Sequence, residues 1–381
     1  MHQSALIRLF VAMLMSVALS AIAQEETEGQ QRPFDPEALQ QLAGRGNSDA
    51  QFELGVRYLG GDGMPKDAAK AAEWFQKAAD QQHLGAMNAM GTLYQEGLGL
   101  SKDEKKAFEW FQKSAKYGFP LAQQNLAECY DNGKGVEKNE AEAFKWLGRS
   151  AHQDFAPAQA QYAWKLEHGG QGIEKSTHEA AQWYLRAAQQ NFVPAMTHLA
   201  YLYYSGVGVP LDYRHAEAWY RRAGRSQDPW AHNDLAWFLS TCPDENFLDA
   251  DTAVEFAKSA VDKLSENKRY EVLDTLAAAL ARSGKFGEAV QTELQAIVLF
   301  SQDKTKEKES KPEELTKLEK ELSDRLGLYR KHTPYADKEM EAEPNTKPLP
   351  DDRILQEEMP RHRKDKPQDQ EKVTSSGAEI S

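Results

Sequence analysis

The sequence predicts an all-α protein built as an α-solenoid, and three observations carry that prediction. Tryptophans recur at a near-constant interval: Trp74, Trp110 and Trp146 are 36 residues apart, Trp183 follows at 37 and Trp219 at 36. Each is preceded by a matching segment: Leu54-Gly55-x-x-Tyr58, Met90-Gly91-x-x-Tyr94, Leu126-Ala127-x-x-Tyr130, Tyr162-Ala163-x-x-Leu166 and Leu199-Ala200-x-x-Tyr203. Between segment and tryptophan lies a glycine pair: Gly61/Gly63, Gly97/Gly99, Gly133/Gly135, Gly170/Gly172 and Gly206/Gly208. Five units at one period are the mark of a repeat architecture. Such a unit is shorter than the ~40 residues that usually fold alone, so it must bury its faces against its neighbours.

The elements follow in chain order. Met1 to Ala23 reads as a secretory signal peptide: Arg8 is the basic n-region, Leu9–Leu19 the apolar stretch, and Ala21-Ile22-Ala23 the small-residue cleavage site. Residues 24–48 are a linker with a short helix, started by Asp35 as N-cap and Pro36 at the first helical position. Residues 49–226 hold the five repeats, each a helix, a turn and a helix. In the second helix of the first repeat, Ala71, Trp74, Phe75, Ala78 and Ala79 form an amphipathic stripe. In its first helix Ala50, Leu54 and Tyr58 form the inner edge, and Gly55 permits close helix approach. The extra residue of the fourth repeat falls in its turn, and the repeat tryptophans are expected to be core residues.

These residues resemble the Sel1-like repeat family, a relative of the tetratricopeptide repeat (TPR) with a slightly longer period. The first repeat matches its pattern at Leu54, Gly55, Tyr58, Gly61, Gly63, Lys70, Ala71, Trp74, Phe75, Lys77, Ala78 and Ala79. Repeat three departs with Ala127 and Leu147, repeat four with Leu166. The resemblance implies a right-handed superhelical α-solenoid whose first helices line a concave surface. It also implies a bacterial secreted scaffold that holds a protein or peptide partner; envelope members include assembly scaffolds and a regulator of a sensor kinase. The alternative it implies is an enzyme of cell-wall or β-lactam chemistry, as in a cysteine-rich branch with paired cysteines in each repeat. This chain has two cysteines, Cys129 and Cys242, expected to stay unpaired.

Residues 227–332 continue as two repeats similar to TPR units plus a capping helix. Asn233–Phe238 and Ala253–Val261 form the first pair; Asp274–Ala281 and the segment after Ser283-Gly284-Lys285 form the second. The cap carries Leu315, Leu318, Leu322, Leu326 and Tyr329 on one side. Residues 333–381 read as a disordered charged tail: from residue 336 on there is no aromatic, 20 of 46 residues are charged and five are proline.

Charge and motifs narrow the function. The formal net charge of −13 argues against nucleic acid and anionic membranes as partners, and no stretch of the mature chain is apolar enough to span a bilayer. The glycine pairs lack the third glycine and flanking strand of a dinucleotide site, and no zinc, calcium or other cofactor motif is present. The basic cluster Arg221, Arg222, Arg225 and the acidic loop from Asp244 to Asp251 read as solvated. One row stands out. Stepping about 100° per residue along the first helix, Val56 and Glu53 point away from the core. The Val56 position reads Val56, Thr92, Glu128, Trp164, Tyr201, Trp237 through the units, and the Glu53 position ends in His198 and Asp234, beside Asn233. Trp164, Tyr201, Trp237, His198, Asn233 and Asp234 are therefore the expected partner-binding residues, with no catalytic or metal site, in a protein exported across the inner membrane to the periplasm.

Overall fold

The computed structural model describes residues 35–264, 270–304, 312–338, 340–344 and 346–357, so the expected signal peptide and residues 358–381 of the expected tail lie outside it. Among the described residues the regular structure is helical, apart from an isolated bridge between Gly170 and Ile173. The chain divides after Lys102 into two compact units.

The first unit holds α1 (Pro36–Gly44), α2 (Ser48–Gly60), α3 (Ala68–Asp80) and α4 (Leu84–Glu96). Asp35 caps α1 by accepting from the Glu37 and Ala38 amides, with Pro36 following. Ala43, Ala50, Leu54 and Met64 form a core, with Tyr58 and Trp74 packed on it. A Cβ on Gly55 would lie 2.6 Å from the Phe75 ring, so this glycine is the contact point between α2 and α3.

The second unit begins with α5 (Glu104–Lys116), α6 (Pro120–Asn132), α7 (Glu140–Ala151), α8 (Ala156–His168), α9 (Thr177–Gln189), α10 (Val193–Ser205) and α11 (Tyr213–Gly224). It continues with α12 (Pro229–Thr241), α13 (Ala250–Lys263), α14 (Tyr270–Arg282), α15 (Phe286–Lys304), α16 (Pro312–Arg330) and the single turn α17 (Ile354–Glu357). From α5 to α16 each helix packs on the next, the stacking that a repeat fold requires. The cap α16 buries Leu315, Leu322, Leu326 and Tyr329.

Three polar ladders, unread in the sequence, recur through the repeats. The second helices start on Asp67, Asp103, Asn139, Ser176, Asp212 and Asp249, whose side chains cap the first turn. Such a cap contributes about 1 kcal/mol. The backbone N–H of Asp67, Asn139, Ser176 and Asp212 also donates to the carbonyls of Tyr58, Tyr130, Leu166 and Tyr203, closing each turn. Finally, Gln51, Gln123 and Gln159 reach back to the carbonyls of Ala43, Ala115 and Ala151 at 3.0, 3.2 and 3.2 Å. These carbonyls end the preceding helix, and the glutamine adds a second donor to the backbone amide each already accepts.

The glycine pair has two separate jobs. Gly133 ends α6 in the left-handed region, at φ 69°. Gly135 is needed for space as well: a Cβ there would sit 2.1 Å from the Glu104 carbonyl oxygen. In repeat four the left-handed pair is Gly169 and Gly172 rather than Gly170 and Gly172. The extra residue widens the turn, so α8 must already end at Gly169 while Gly170 pairs with Ile173.

The tryptophans depart from expectation. Trp183 and Trp219 are buried, but Trp74, Trp110 and Trp146 are only partly so. The residue three positions on lays its cation over each ring: Lys77 at 3.7 Å, Lys113 at 4.3 Å and Arg149 at 4.2 Å. An i,i+3 pair on one helix face makes that contact, and the long side chain shields a ring the core leaves open.

The tail also departs from expectation. From residue 333 to α17, the described residues lie against repeats four to six. Leu349 and Ile354 are buried, and Asp337, Glu343 and Asp352 are hydrogen-bonded to the repeats. Composition indicated too little apolar surface to order this segment; what orders it is carboxylates meeting donors supplied by distant helices.

Candidate partner-binding site

The row that leaves the core does so in every unit: Val56, Thr92, Glu128, Trp164 and Trp237 are partly exposed, and Tyr201 is 46% exposed. Its early members are ordinary; Glu128, for example, pairs with Lys134 at 2.7 Å. From α8 onward the row becomes aromatic.

His198 and Tyr201 of α10 form the centre. The His198 Nε2–H donates to Glu167 Oε2 at 2.7 Å, and the same oxygen accepts from the Tyr184 hydroxyl at 3.2 Å. The His198 ring stacks on Tyr184 at 4.3 Å and lies 6.3 Å from Tyr201. Burial alone would raise the Glu167 carboxyl, but the His198 hydrogen bond and charge, with His168 and Tyr184, outweigh it and hold it below its usual value. Tyr184 and Tyr201 go the other way: burial, and then the Glu167 charge, raise both hydroxyls, so they act as donors rather than nucleophiles.

Asn233 and Asp234 of α12 complete the floor. Desolvation raises the Asp234 carboxyl to about 7, against the Asn233 hydrogen bond and with the help of Asp228. Asn233 Oδ1 is buried with no hydrogen-bond partner. Tyr220, buried on α11, is raised by burial and then by the charge of Asp234. The other two expected residues stand apart. Trp164 stacks on His168 at 4.3 Å. Trp237 donates its indole N–H to Asp337 at 3.1 Å and faces the Arg325 guanidinium at 5.6 Å.

Sequence reasoning missed Glu167, Tyr184, Tyr220 and Asp337. Glu167 follows Trp164 by three positions on one helix, a spacing that could have found it. Tyr184 and Tyr220 sit beside the repeat tryptophans, where the pattern made them core residues. Also missed is the cluster behind Trp237. Arg325 donates to both Asp274 oxygens at 2.7 and 2.8 Å, with a Glu293 oxygen at 4.0 Å. Desolvation, and then the Asp274 charge, raise Glu293, so two carboxyls share one guanidinium by keeping a proton.

No His, Cys, Asp and Glu group of three or more is placed to hold a metal among the described residues. Cys129 and Cys242 are unpaired and buried, and desolvation pushes both thiols up to about 12. No described helix is long and apolar enough to cross a membrane.

Comparison with known proteins agrees with the repeat frame. The Sel1 repeat model matches residues 48–83, 85–118, 120–155, 156–192 and 193–228. No curated protein matches the chain. A Sel1 repeat protein from Oxalobacter formigenes is 27% identical at a TM-score of 0.54, over 60% of this chain and 100% of its own. A protective antigen of uropathogenic Escherichia coli strains, which displays an SLR fold, is 22% identical at a TM-score of 0.55, over 77% of this chain and 72% of its own, and shows the fold alone. With five consecutive matches on the helix pairs described above, the chain belongs to the Sel1 repeat family.

Proposed function

We propose that this protein is a non-enzymatic scaffold, exported to the periplasm, that binds a protein or peptide partner on the row formed by Trp164, His198, Tyr201, Asn233 and Asp234. Sel1 repeats are in general protein-interaction modules. One observation carries the reading to this face: Tyr201 is 46% exposed on a helix that otherwise buries Leu199, Ala200, Leu202, Tyr203 and Tyr204. An open aromatic beside polar groups is the usual anchor of a binding surface. Around it the Glu167–His198 pair and Asp234 offer acceptors to a partner's donors. The raised tyrosine hydroxyls and buried thiols supply no activated nucleophile, which favours binding over group transfer. The test is capture from envelope extract by the wild-type chain and by Trp164→Ala/Tyr201→Ala. A protein retained by the first and lost by the second, with both equally helical, is the expected result. Equal capture by both variants would move the binding surface elsewhere.

A further inference from the structure

The segment from Tyr335 to Ile354 is held by three carboxylates, each received by a set of neutral donors on the repeats. Asp337 Oδ2 accepts from the Tyr204 hydroxyl at 2.6 Å and the Trp237 indole at 3.1 Å, and lies 3.0 Å from the Thr241 hydroxyl, whose one proton it shares with the Trp237 carbonyl at 2.8 Å. Glu343 Oε2 accepts from the Thr177 hydroxyl at 2.9 Å and the Gly208 amide at 3.0 Å. Asp352 Oδ2 accepts from the Tyr203 hydroxyl at 2.7 Å and the Trp219 indole at 3.0 Å. Backbone pairing adds the Asp337 amide to the Thr241 carbonyl at 2.8 Å and the Glu343 amide to the Gly206 carbonyl at 3.0 Å.

The seat belongs to the rigid part of the molecule. Tyr203 and Trp219 are the repeat tyrosine and tryptophan, fixed by packing, with their polar tips turned to the segment. Tyr204 and Thr241 close helix ends. Gly206 leaves room for the segment: a Cβ there would lie 2.6 Å from Ala342. Donors converging in twos and threes on one oxygen favour a carboxylate, because a charged oxygen accepts stronger hydrogen bonds than the neutral oxygen of an amide. The segment itself is lightly anchored. Its described residues form no regular structure before Ile354, turn at Pro344 and Pro350–Asp351, bury Leu349 and Ile354, and leave Met340 exposed. Such a segment belongs to the low-stability end of a structure, able to open while the repeats stay folded.

We infer that this seat is a receptor for an acidic peptide segment of a protein partner, and that residues 335–354 are its intramolecular competitor. The pattern it reads is Asp, then Glu six positions on, then Asp nine positions further with an apolar residue two beyond, as in Asp337, Glu343, Asp352 and Ile354. Tethering keeps the chain's own segment at ~mM effective concentration, so a partner must match the same acids to displace it. The inference goes beyond the Tyr201 face: Trp164 and Tyr201 make none of these hydrogen bonds, although Asp337 lies near enough to help raise the Tyr201 hydroxyl.

The experiment compares the full chain with its Asp337→Ala/Glu343→Ala/Asp352→Ala variant. The variant is expected to keep its helical signal and to lose hydrogen-exchange protection at the amides of residues 337 and 343. A labelled synthetic peptide of residues 333–357 should then bind the variant at least about ten-fold tighter than wild type, by fluorescence polarisation, because the competitor is released. The same peptide with Asn, Gln and Asn at the three acids should not bind. Unchanged protection in the variant, equal binding of both peptides, or no binding of either would overturn the inference. If the triple variant loses helical signal, Glu343→Gln alone is read the same way: faster exchange at residue 343 supports the seat and unchanged exchange overturns it.

Discussion

Asp234 is the residue whose environment most changes its chemistry. Its carboxyl is raised to about 7 from an ordinary value of 3.8, first by desolvation. A carboxyl raised on folding contributes stability that is fully present below its unfolded value and is lost as pH climbs through the folded one. The wild-type melting temperature should therefore fall between pH 4 and pH 8 by more than that of Asp234→Asn, which carries no titrating group there. Parallel pH profiles of the two proteins would mean the carboxyl is as solvated as in the unfolded chain. Glu167 acts in the opposite sense: its lowered carboxyl contributes stability above its ordinary range, lost on acidification. The two acids of one face thus differ in charge near neutral pH. The row position exposed Asp234 as a candidate, but its raised value depends on neighbours such as Asp228 that no spacing rule brings to mind.

At the scale of elements, the turn between the two helices of a repeat sets how closely successive repeats stack. Gly135 combines a left-handed φ of 70° with a Cβ position 2.1 Å from the Glu104 carbonyl oxygen. In the widened turn of repeat four, Gly172 has φ 76°, yet its Cβ would meet only Ala141 Cβ at 3.4 Å, an ordinary contact. Gly172→Ala should cost only the left-handed conformation, about 1–2 kcal/mol. Gly135→Ala adds a backbone clash and should cost roughly 3 kcal/mol or more. Urea denaturation of the two variants measures the difference, and equal losses would show that the turn shifts freely away from α5. The glycine pair was legible from its period. Its second function was not, because the atom it must avoid belongs to the preceding repeat.

For the second unit as a whole, the segment after α16 ties repeats four to six together across sequence separations of 96 to 166 residues. Composition assigns it to a disordered tail whose removal changes nothing; the structure implies a different outcome. Burying Leu349 and Ile354 contributes up to ~1.5–3 kcal/mol each, offset in part by the entropy of ordering an extended chain. Deleting residues 333–381 should lower the melting temperature by a few degrees, at ~2–4 °C per kcal/mol. An unchanged midpoint in calorimetry would mean that the segment rests on the repeats without stabilising them.

Period and local chemistry were enough to determine the repeats, the first helix with its Asp35 cap, the helix pairs after the fifth repeat and the apolar side of α16. Each of these depends on residues a few positions apart, within one helix or one turn. The N-cap ladder from Asp67 to Asp249 was equally local and could have been read at the same period. Tertiary structure alone decided the rest: how deeply each repeat tryptophan is buried, the pairing of Arg325 with Asp274 beside Glu293, and the course of the described residues between 333 and 357. The physical reason is common to all three. A buried charge or a docked carboxylate is stabilised by donors that lie far away in sequence, and a chain read along its length shows the acid without showing the tyrosine, tryptophan or guanidinium that receives it.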